Sequence, residues 1–274
     1  MTIGDADVLV VGSGNAGLCA AIAALRAGAD VLILEKAEET LAGGNSRYTA
    51  GAMRFAYDDA SDLLPLLADP DDPRLEATDF GSYPEDRFAG DLLGFNDGRP
   101  LSPEQRILVD ESLDVVRWLA DNGVLFEPIY QRQSYEQDGR RVFWGGLTLA
   151  AADEGVGLIE AELSAVRDLG GRIRYASDVV GLVSRGERIA GVVIETADGD
   201  RSEVLADAVV LGCGGFEADP DRRVEHLGPE WAVAKVRGTP HNTGVGLELA
   251  LAAGAEPYGL YGGCHATPVD RHMA

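Results

Sequence analysis

Asp7-Val8-Leu9-Val10-Val11-Gly12-Ser13-Gly14-Asn15-Ala16-Gly17 begins the stretch that decides the fold, and residues 18–35 complete it. Residues 7–11 form an apolar run that predicts a buried strand. Residues 18–25 predict a helix ending near Gly28. Val31-Leu32-Ile33-Leu34 predicts a second strand, with Glu35 at its carboxyl end. In such a unit Gly12 permits the tight turn, Gly14 lets a pyrophosphate approach the backbone, and Gly17 lets helix and strand pack closely. The start of the helix offers unpaired N–H groups and a positive dipole end to phosphates. Glu35 is placed to accept hydrogen bonds from ribose hydroxyls. A lone G-x-G-x-x-G is weak, because glycine-rich turns are common. Here a strand precedes it, a helix follows, and an acid stands roughly 20 residues on, which is the context of a dinucleotide site. The motif does not choose between FAD and NAD. With no arginine beside Glu35 to meet a ribose phosphate, NADP is disfavoured.

The rest of the composition suits that reading. The chain has 274 residues, 46% of them hydrophobic, which is enough for one large domain or two smaller ones. Its formal net charge of -23 repels nucleic acid and anionic membrane surfaces. It also repels anionic substrates, so a carboxylate substrate needs a local basic pocket. Lysine occurs only at Lys36 and Lys235. No apolar run reaches the roughly 18 residues of a membrane helix. No basic leader is visible, and the expected location is cytoplasmic. Cys19, Cys213 and Cys264 are widely spaced and predict neither a metal site nor a disulfide framework. Cys19, inside the first helix, is expected to be a small core residue.

Beyond Glu35 lies a glycine-rich loop over residues 41–51. The acidic segment over residues 58–91 is expected to be a surface excursion rather than core. Ser102-Pro103-Glu104-Gln105 predicts a capped helix start, with Pro103 in the first turn and the helix running to about Asn122 before Gly123. Residues 130–144 read as a hairpin or an excursion with a turn at Asp138-Gly139. A helix is expected over residues 157–169. Residues 179–184, 189–196 and 203–205 then read as consecutive antiparallel strands, a small β-meander. A separate buried strand over residues 207–211 runs into Gly212-Cys213-Gly214-Gly215-Phe216. A second glycine-rich loop, Asn242-Thr243-Gly244-Val245-Gly246, enters a helix over residues 247–253.

Taken in order, the Gly12 fingerprint with Glu35, Gly43-Gly44-Asn45-Ser46, Val210-Leu211-Gly212-Cys213-Gly214-Gly215-Phe216 and Asn242-Thr243-Gly244-Val245-Gly246 resemble the FAD-dependent fumarate reductase and succinate dehydrogenase flavoprotein superfamily. The resemblance covers essentially the whole chain. Residues 44–54 and Gly262-Gly263-Cys264-His265-Ala266 look most like tricarballylate dehydrogenase and its relatives. The resemblance implies an α/β fold: a Rossmann-like FAD-binding domain with a three-layer, parallel-sheet core and a small antiparallel meander. It implies an FAD-binding domain over residues 1–256 and an incomplete substrate-capping domain beginning at 257–274. Gly12, Gly14, Asn15, Ala16 and Gly17 would hold the FAD pyrophosphate, Glu35 and Lys36 the adenosine ribose. Val179 would meet adenine through its backbone. Gly44, Asn45, Ser46 and Gly51 would wrap the flavin end. Gly214, Gly215, Thr243 and Gly244 would lie near the cofactor, with the last helix aimed at the flavin ring.

The same resemblance gives His265, assisted by Thr267, the substrate carboxylate. A histidine in such a loop is also often a solvated or capping residue. Arg47 and Arg54 could neutralise a polycarboxylate or pair with the acidic segment. The superfamily usually carries threonine where Cys213 stands and an acid where Val245 stands. Its members continue beyond Ala274 and supply there a catalytic arginine and a last glycine-rich strand, so no residue of this chain is assigned as catalytic acid or base. The implied reaction moves a hydride between a C–C bond of a small polycarboxylate and the flavin. A separate electron acceptor would reoxidise the flavin. The rival readings are a truncated FAD-binding fragment without catalysis, a flavoprotein module of corrin-ring biosynthesis, and an NAD dehydrogenase, the last disfavoured by the residue 43–46 loop and the meander.

Overall fold

A computed structural model describes residues 6–96, 98–259 and 261–263. The fold is mixed α/β. Strand β1 (Ala6–Val11) runs through the glycine turn into helix α1 (Asn15–Arg26), and β2 (Val31–Leu34) follows. Leu9, Val10, Val31 and Ile33 are fully buried. Uninterrupted apolar runs of this kind are what a strand covered on both faces requires. Helix α1 starts three residues before the predicted apolar run, so its first turn is part of the glycine motif itself.

The middle of the chain adds β3 (Ala52–Met53), α2 (Ala60–Leu63), β4 (Thr78–Asp79), α3 (Glu85–Leu93), α4 (Pro103–Asp110), α5 (Ser112–Asp121), β5 (Phe126–Pro128) and α6 (Tyr130–Gln133). Then come β6 (Ser134–Gln137), β7 (Arg140–Phe143), β8 (Leu149–Ala151) and α7 (Glu154–Asp168). The last part holds β9 (Arg172–Arg174), β10 (Asp178–Arg185), β11 (Arg188–Glu195), β12 (Arg201–Leu211), α8 (Pro220–Leu227) and α9 (Val245–Ala252). Among the described residues no helix is long and apolar enough to cross a membrane. The chain divides into two compact units.

The first unit comprises the chain up to Gly17, Ala29–Asn45 and the part from Ile173 onward. Its six-stranded sheet has the order β10-β11-β12-β1-β2-β9. Strand β1 is parallel to both neighbours: Val10 pairs with Ile33 on one side and Val210 on the other. One expectation is corrected here. Residues 203–205 and 207–211 are not separate strands but parts of a single strand of 11 residues. Its first half, Arg201 to Leu205, is antiparallel to β11, and its second half, Ala206 to Leu211, is parallel to β1. The meander is thus continuous with the parallel sheet. Val192, Ile194 and Val204 share one core cluster with Leu9, Val11 and Leu34.

The second unit comprises Leu18–Gly28 and Ser46–Arg172. Two three-stranded sheets, β3-β8-β5 and β4-β7-β6, frame it. The β6–β7 hairpin turns at Asp138-Gly139, both with positive φ (50° and 76°), as a two-residue hairpin turn demands. The acidic segment does not behave as a surface excursion. Leu63, Leu66, Phe80, Tyr83 and Phe88 are buried in the same core as Phe55, Phe126, Leu149 and Leu158. Tyr57 and Tyr83 exchange backbone bonds of 2.9 Å, and the Tyr57 hydroxyl donates to the Phe80 carbonyl at 2.7 Å. The acids between these anchors serve the turns: Asp59, Asp72 and Asp79 each accept from a backbone N–H two residues on. A high acid count therefore hid an apolar face.

The predicted helix over residues 102–122 is two helices. Ser102 and Gln105 form the expected capping box at the start of α4. The break falls at Glu111 because Ser112 is otherwise engaged. Its hydroxyl donates back to the Val109 carbonyl at 2.9 Å and accepts the Ala56 N–H at 2.9 Å. Local hydroxyl-to-backbone bonds of this kind compete with the helix ladder.

One buried acid in this unit lies outside every motif. Glu162 on α7 is 0% exposed. Its Oε1 accepts the Cys19 thiol at 3.4 Å, while its Oε2 has no hydrogen-bond partner among the described residues. Burial pushes the Glu162 carboxyl up to about 8, and burial next to Glu162 raises the Cys19 thiol well above its usual range. Cys19 is a half-buried residue packed against the core, as expected, but it is also the one donor found on Glu162 among the described residues.

Candidate functional site

The site builds from the end of β1. The Gly12 N–H donates to the Leu34 carbonyl at 2.8 Å, and the Gly212 N–H donates to the Val11 carbonyl at 2.8 Å. The glycine turn is thereby seated across the carboxyl ends of three adjacent strands. Gly12 has φ +97°, and a Cβ there would lie 2.7 Å from the Gly212 carbonyl oxygen. A Cβ on Gly17 would collide with the Gly12 carbonyl oxygen. Neither position admits a side chain, so the turn closes directly onto α1. No acidic residue stands in the first turn of α1. The N–H groups of a first helical turn lack intrahelical partners, and they give this end of α1 its affinity for anions.

Glu35 ties that turn to β2. It is 6% exposed. Its Oε2 accepts both the Ser13 N–H at 2.8 Å and the Ser13 hydroxyl at 2.6 Å, and its Oε1 accepts the Ala37 N–H at 2.7 Å. A carboxylate offers about four lone-pair sites. Among the described residues three are filled, which leaves one on Oε1 for a hydroxyl. Ser13 is the functional residue that sequence reasoning missed. Its partner is 22 positions away, and only the x of G-x-G marks it.

The same corner gathers the residues expected at the adenosine end. The Ser177 N–H donates to the Glu35 carbonyl at 2.9 Å, and the Ala176 N–H to the Ala37 carbonyl at 3.0 Å. These bonds bring the start of β10, with the buried Val179, beside Glu35. Lys36 pairs with Asp178 at 2.8 Å. Both partners are about one-third exposed, so the pair contributes little, about 0–1 kcal/mol.

A second group forms around the later glycine loops. The Asn45 side chain accepts the Thr239 N–H at 2.9 Å. A Cβ on Gly44 would lie 3.9 Å from the Gly14 Cα. Gly214 lies against the Asn242 amide, which donates to Glu217 at 3.3 Å. The Gly244 N–H, which precedes α9, donates to the Gly215 carbonyl at 3.0 Å. Cys213 packs its sulfur against Gly246 in the first turn of α9, and burial raises its thiol above the ordinary range, keeping it neutral. Glu248 in that turn is held by Arg222. The structure therefore brings Gly12, Gly14, Glu35 and Gly44 together with the residue 213–217 and 242–246 loops in one unit. Asn242, Glu217 and Thr239 are additions to the expected set.

Ser46 and Gly51 belong to the second unit. There the Ser46 carbonyl accepts the Thr49 hydroxyl at 2.9 Å, and the Gly51 N–H donates to that hydroxyl at 3.1 Å. Arg47 pairs with Glu160 at 3.6 Å. Arg54 donates to the Tyr83 hydroxyl at 2.9 Å and pairs with Asp91 at 3.5 Å. Arg54 thus takes the alternative expected of it, pairing with the acidic segment. His265 and Thr267 lie outside the described residues. Among the described residues no group of three or more His, Cys, Asp or Glu could hold a metal ion.

Comparison with known proteins bears on this geometry. The FAD binding domain family matches residues 7–260. The chain belongs to the FAD-dependent flavoproteins of the fumarate reductase and succinate dehydrogenase family. FAD is the cofactor of this family's domain. The chain is 30% identical over 273 residues to vinyl phenol reductase of Lactiplantibacillus plantarum, a match that covers 94% of this chain and 48% of that protein. It is 29% identical over 248 residues to the cytochrome-type fumarate reductase of Shewanella frigidimarina, covering 90% of this chain and 40% of that one. The 3-ketosteroid-Δ4-(5α)-dehydrogenase of Rhodococcus jostii RHA1 shares the fold with a TM-score of 0.71 at 23% identity, over 93% of this chain and 55% of that one. The chain thus spans about half the length of the curated relatives it matches.

Proposed function

We propose that this chain is the cofactor-anchoring part of an oxidoreductase that moves a hydride between a carbon–carbon bond of a small polycarboxylate and FAD. The observation that carries the reading is the Glu35–Ser13 junction: a buried carboxylate with three acceptor sites filled and one open, beside a helix start free of acids. Its donor set suits the group. N–H groups at Gly14, Asn15, Ala16 and Gly17 match a pyrophosphate, and the open Glu35 oxygen matches a ribose hydroxyl. In this reading Gly12 shapes the turn, Lys36 flanks the ribose, and Val179 offers backbone to adenine. Gly44, Asn45, Ser46, Gly51, Gly214, Gly215, Thr243 and Gly244 serve the flavin end. When bound, FAD supplies the two-electron acceptor or donor.

The chain's own residues orient and shield. Asn45 holds the segment at Thr239, and Asn242 lies against Gly214 and donates to Glu217. The Arg222–Glu248 pair offsets the acid in the first turn of α9. We assign residues 1–256 to the FAD-binding domain and 257–274 to the start of a substrate-capping domain, where His265 and Thr267 would hold a substrate carboxylate. The proposed substrate is tricarballylate-like, with a separate electron acceptor and a cytoplasmic location. Two relatives are named as reductases of vinyl phenol and of fumarate, which supports carbon–carbon redox chemistry. The test is the absorption spectrum of the purified chain after reconstitution. A flavin spectrum, with FAD as the released nucleotide, is the expected result. NAD binding with no flavin would sink the proposal. In the whole protein, anaerobic bleaching by tricarballylate but not succinate is expected. Bleaching by succinate alone would reassign the substrate.

A further inference from the structure

Helix α8 of the first unit carries a buried guanidinium that meets carbonyls instead of acids. Arg223 is 8% exposed and makes no ion pair among the described residues, whereas its neighbour Arg222 pairs with Asp219 and Glu248. The Arg223 Nε donates to the Trp231 carbonyl at 3.1 Å, one terminal nitrogen donates to the Glu217 carbonyl, and the other donates to the Ala234 carbonyl at 3.3 Å. A charge buried without a counter-ion is costly, and carbonyl dipoles offset only part of that cost. An apolar side chain would attach a surface turn at less expense. What the guanidinium adds is geometry, because its planar fork of donors fixes the direction of each carbonyl it meets. The turn it grips, Pro229–Val233, contains no buried residue, and Val233 is 86% exposed. Its backbone bonds are local: the Trp231 N–H donates to Gly228 at 3.1 Å and the Ala234 N–H to Trp231 at 3.2 Å. Arg223, rather than a buried apolar anchor, orders this turn.

The segments on either side give the turn its importance. Before it, the Glu217 carboxylate accepts the Asn242 amide at 3.3 Å, and the Ala218 N–H donates to the Asn242 carbonyl at 2.9 Å. After it, the buried Thr239 donates its N–H to Asn45 at 2.9 Å, and Gly238 lies so close to the Asn45 amide that no side chain fits there. Arg223 thus joins the residue 214–217 loop to the segment that delivers Thr239 to Asn45. We propose that Arg223 is a positioning residue for the flavin end of the cofactor site, setting the residue 229–239 segment against the residue 214–217 loop so that Asn45, Asn242 and Gly244 stand at fixed places beside the ring. The inference rests on the FAD reading above, which puts Asn45, Gly214, Gly215 and Gly244 at that end. The carbonyl partners of Arg223 all lie outside the Ser13–Glu35 junction, so the adenosine end serves as an internal control.

Calorimetric titration of the flavin-free chain with FAD and with ADP tests it. ADP carries the adenosine and pyrophosphate but no flavin, so the ratio of the two affinities isolates the flavin end. Arg223→Met should lower that ratio about tenfold or more, the loss expected from hydrogen bonds to a charged group, and leave ADP binding nearly unchanged. The bound flavin should lose the shoulders of its visible absorption band as water reaches the ring. Arg223→Lys keeps the charge without the fork, and its ratio should still fall severalfold. Ser112→Ala, a destabilising change in the other unit, should keep the wild-type ratio. Circular dichroism establishes that each variant is folded, and if Arg223→Met does not fold, Arg223→Lys decides. The proposal is overturned if the variants keep the wild-type ratio, if FAD and ADP weaken equally, or if lysine restores full FAD affinity. A wild-type chain that binds no FAD sinks the FAD reading and this proposal together. A wild-type chain that binds FAD, with an unchanged ratio in the variants, sinks this proposal alone.

Discussion

Glu35 and Glu162 are both buried carboxylates, one in each unit of the chain, and their surroundings are opposite. Glu35 receives three short hydrogen bonds, from the N–H and the hydroxyl of Ser13 in the glycine turn and from the Ala37 N–H. Among the described residues Glu162 receives one long bond from a thiol, and its second oxygen has no partner. Bonds to an ionised group contribute roughly 1.5–3 kcal/mol each, whereas an unsatisfied buried charge costs more than it returns. Burial by itself therefore says nothing about function. The donors that meet the buried group do.

The largest expected effect breaks the comparison from the Glu162 side. Its carboxyl is raised from 4.5 to about 8 in the folded chain. Between those values the folded chain keeps a proton that the unfolded chain has released. The contribution to stability is thus full below pH 4.5 and is lost as pH rises through 8. By linkage the loss is about 5 kcal/mol. Denaturant melts from pH 5 to 9 should show this decline in the wild type. Glu162→Gln and Glu162→Leu should flatten it and leave both variants more stable at pH 9. An unchanged slope in both would show that Glu162 is solvated in the folded chain.

Next in size is Glu35→Ala, which strands the buried Ser13 donors and removes the one open acceptor. A loss of about 3 kcal/mol, or two orders of magnitude in FAD affinity, is expected by fluorescence titration. Ser112→Ala is smaller. It leaves the buried Ala56 N–H unpaired and should cost about 1–2 kcal/mol of stability, without weakening FAD binding. The smallest is Lys36→Ala. Because its pair with Asp178 is partly exposed, FAD affinity should change less than about fivefold, and less still in high salt.

These contrasts also explain what could be read from the residues alone. Strands β1 and β2 were legible because burial on both faces produces unbroken apolar runs, and Glu35 because its spacing from Gly12 is fixed by one helix. The single β12 was not. Ser202, Glu203 and Asp207 interrupt its apolar residues, since the strand is half meander and half parallel-sheet. The acidic segment misled for a related reason: its core contacts come from isolated Leu, Phe and Tyr residues, and turn-forming acids fill the gaps. Ser13, Asn242 and Glu217 act through partners distant in sequence or carry no motif of their own. Glu162 had no signal other than an acid within an otherwise apolar helical face.

The strand shared by the meander and the central sheet sets a timetable for the chain. Val10 pairs with Val210, 200 residues later. Synthesis proceeds at about 5–20 residues per second, so the far side of β1 waits roughly 10–40 s for its neighbour. Throughout that interval the glycine turn lacks the Gly212 backbone against which it closes. The cofactor cradle is made 200 residues before the strand that closes it.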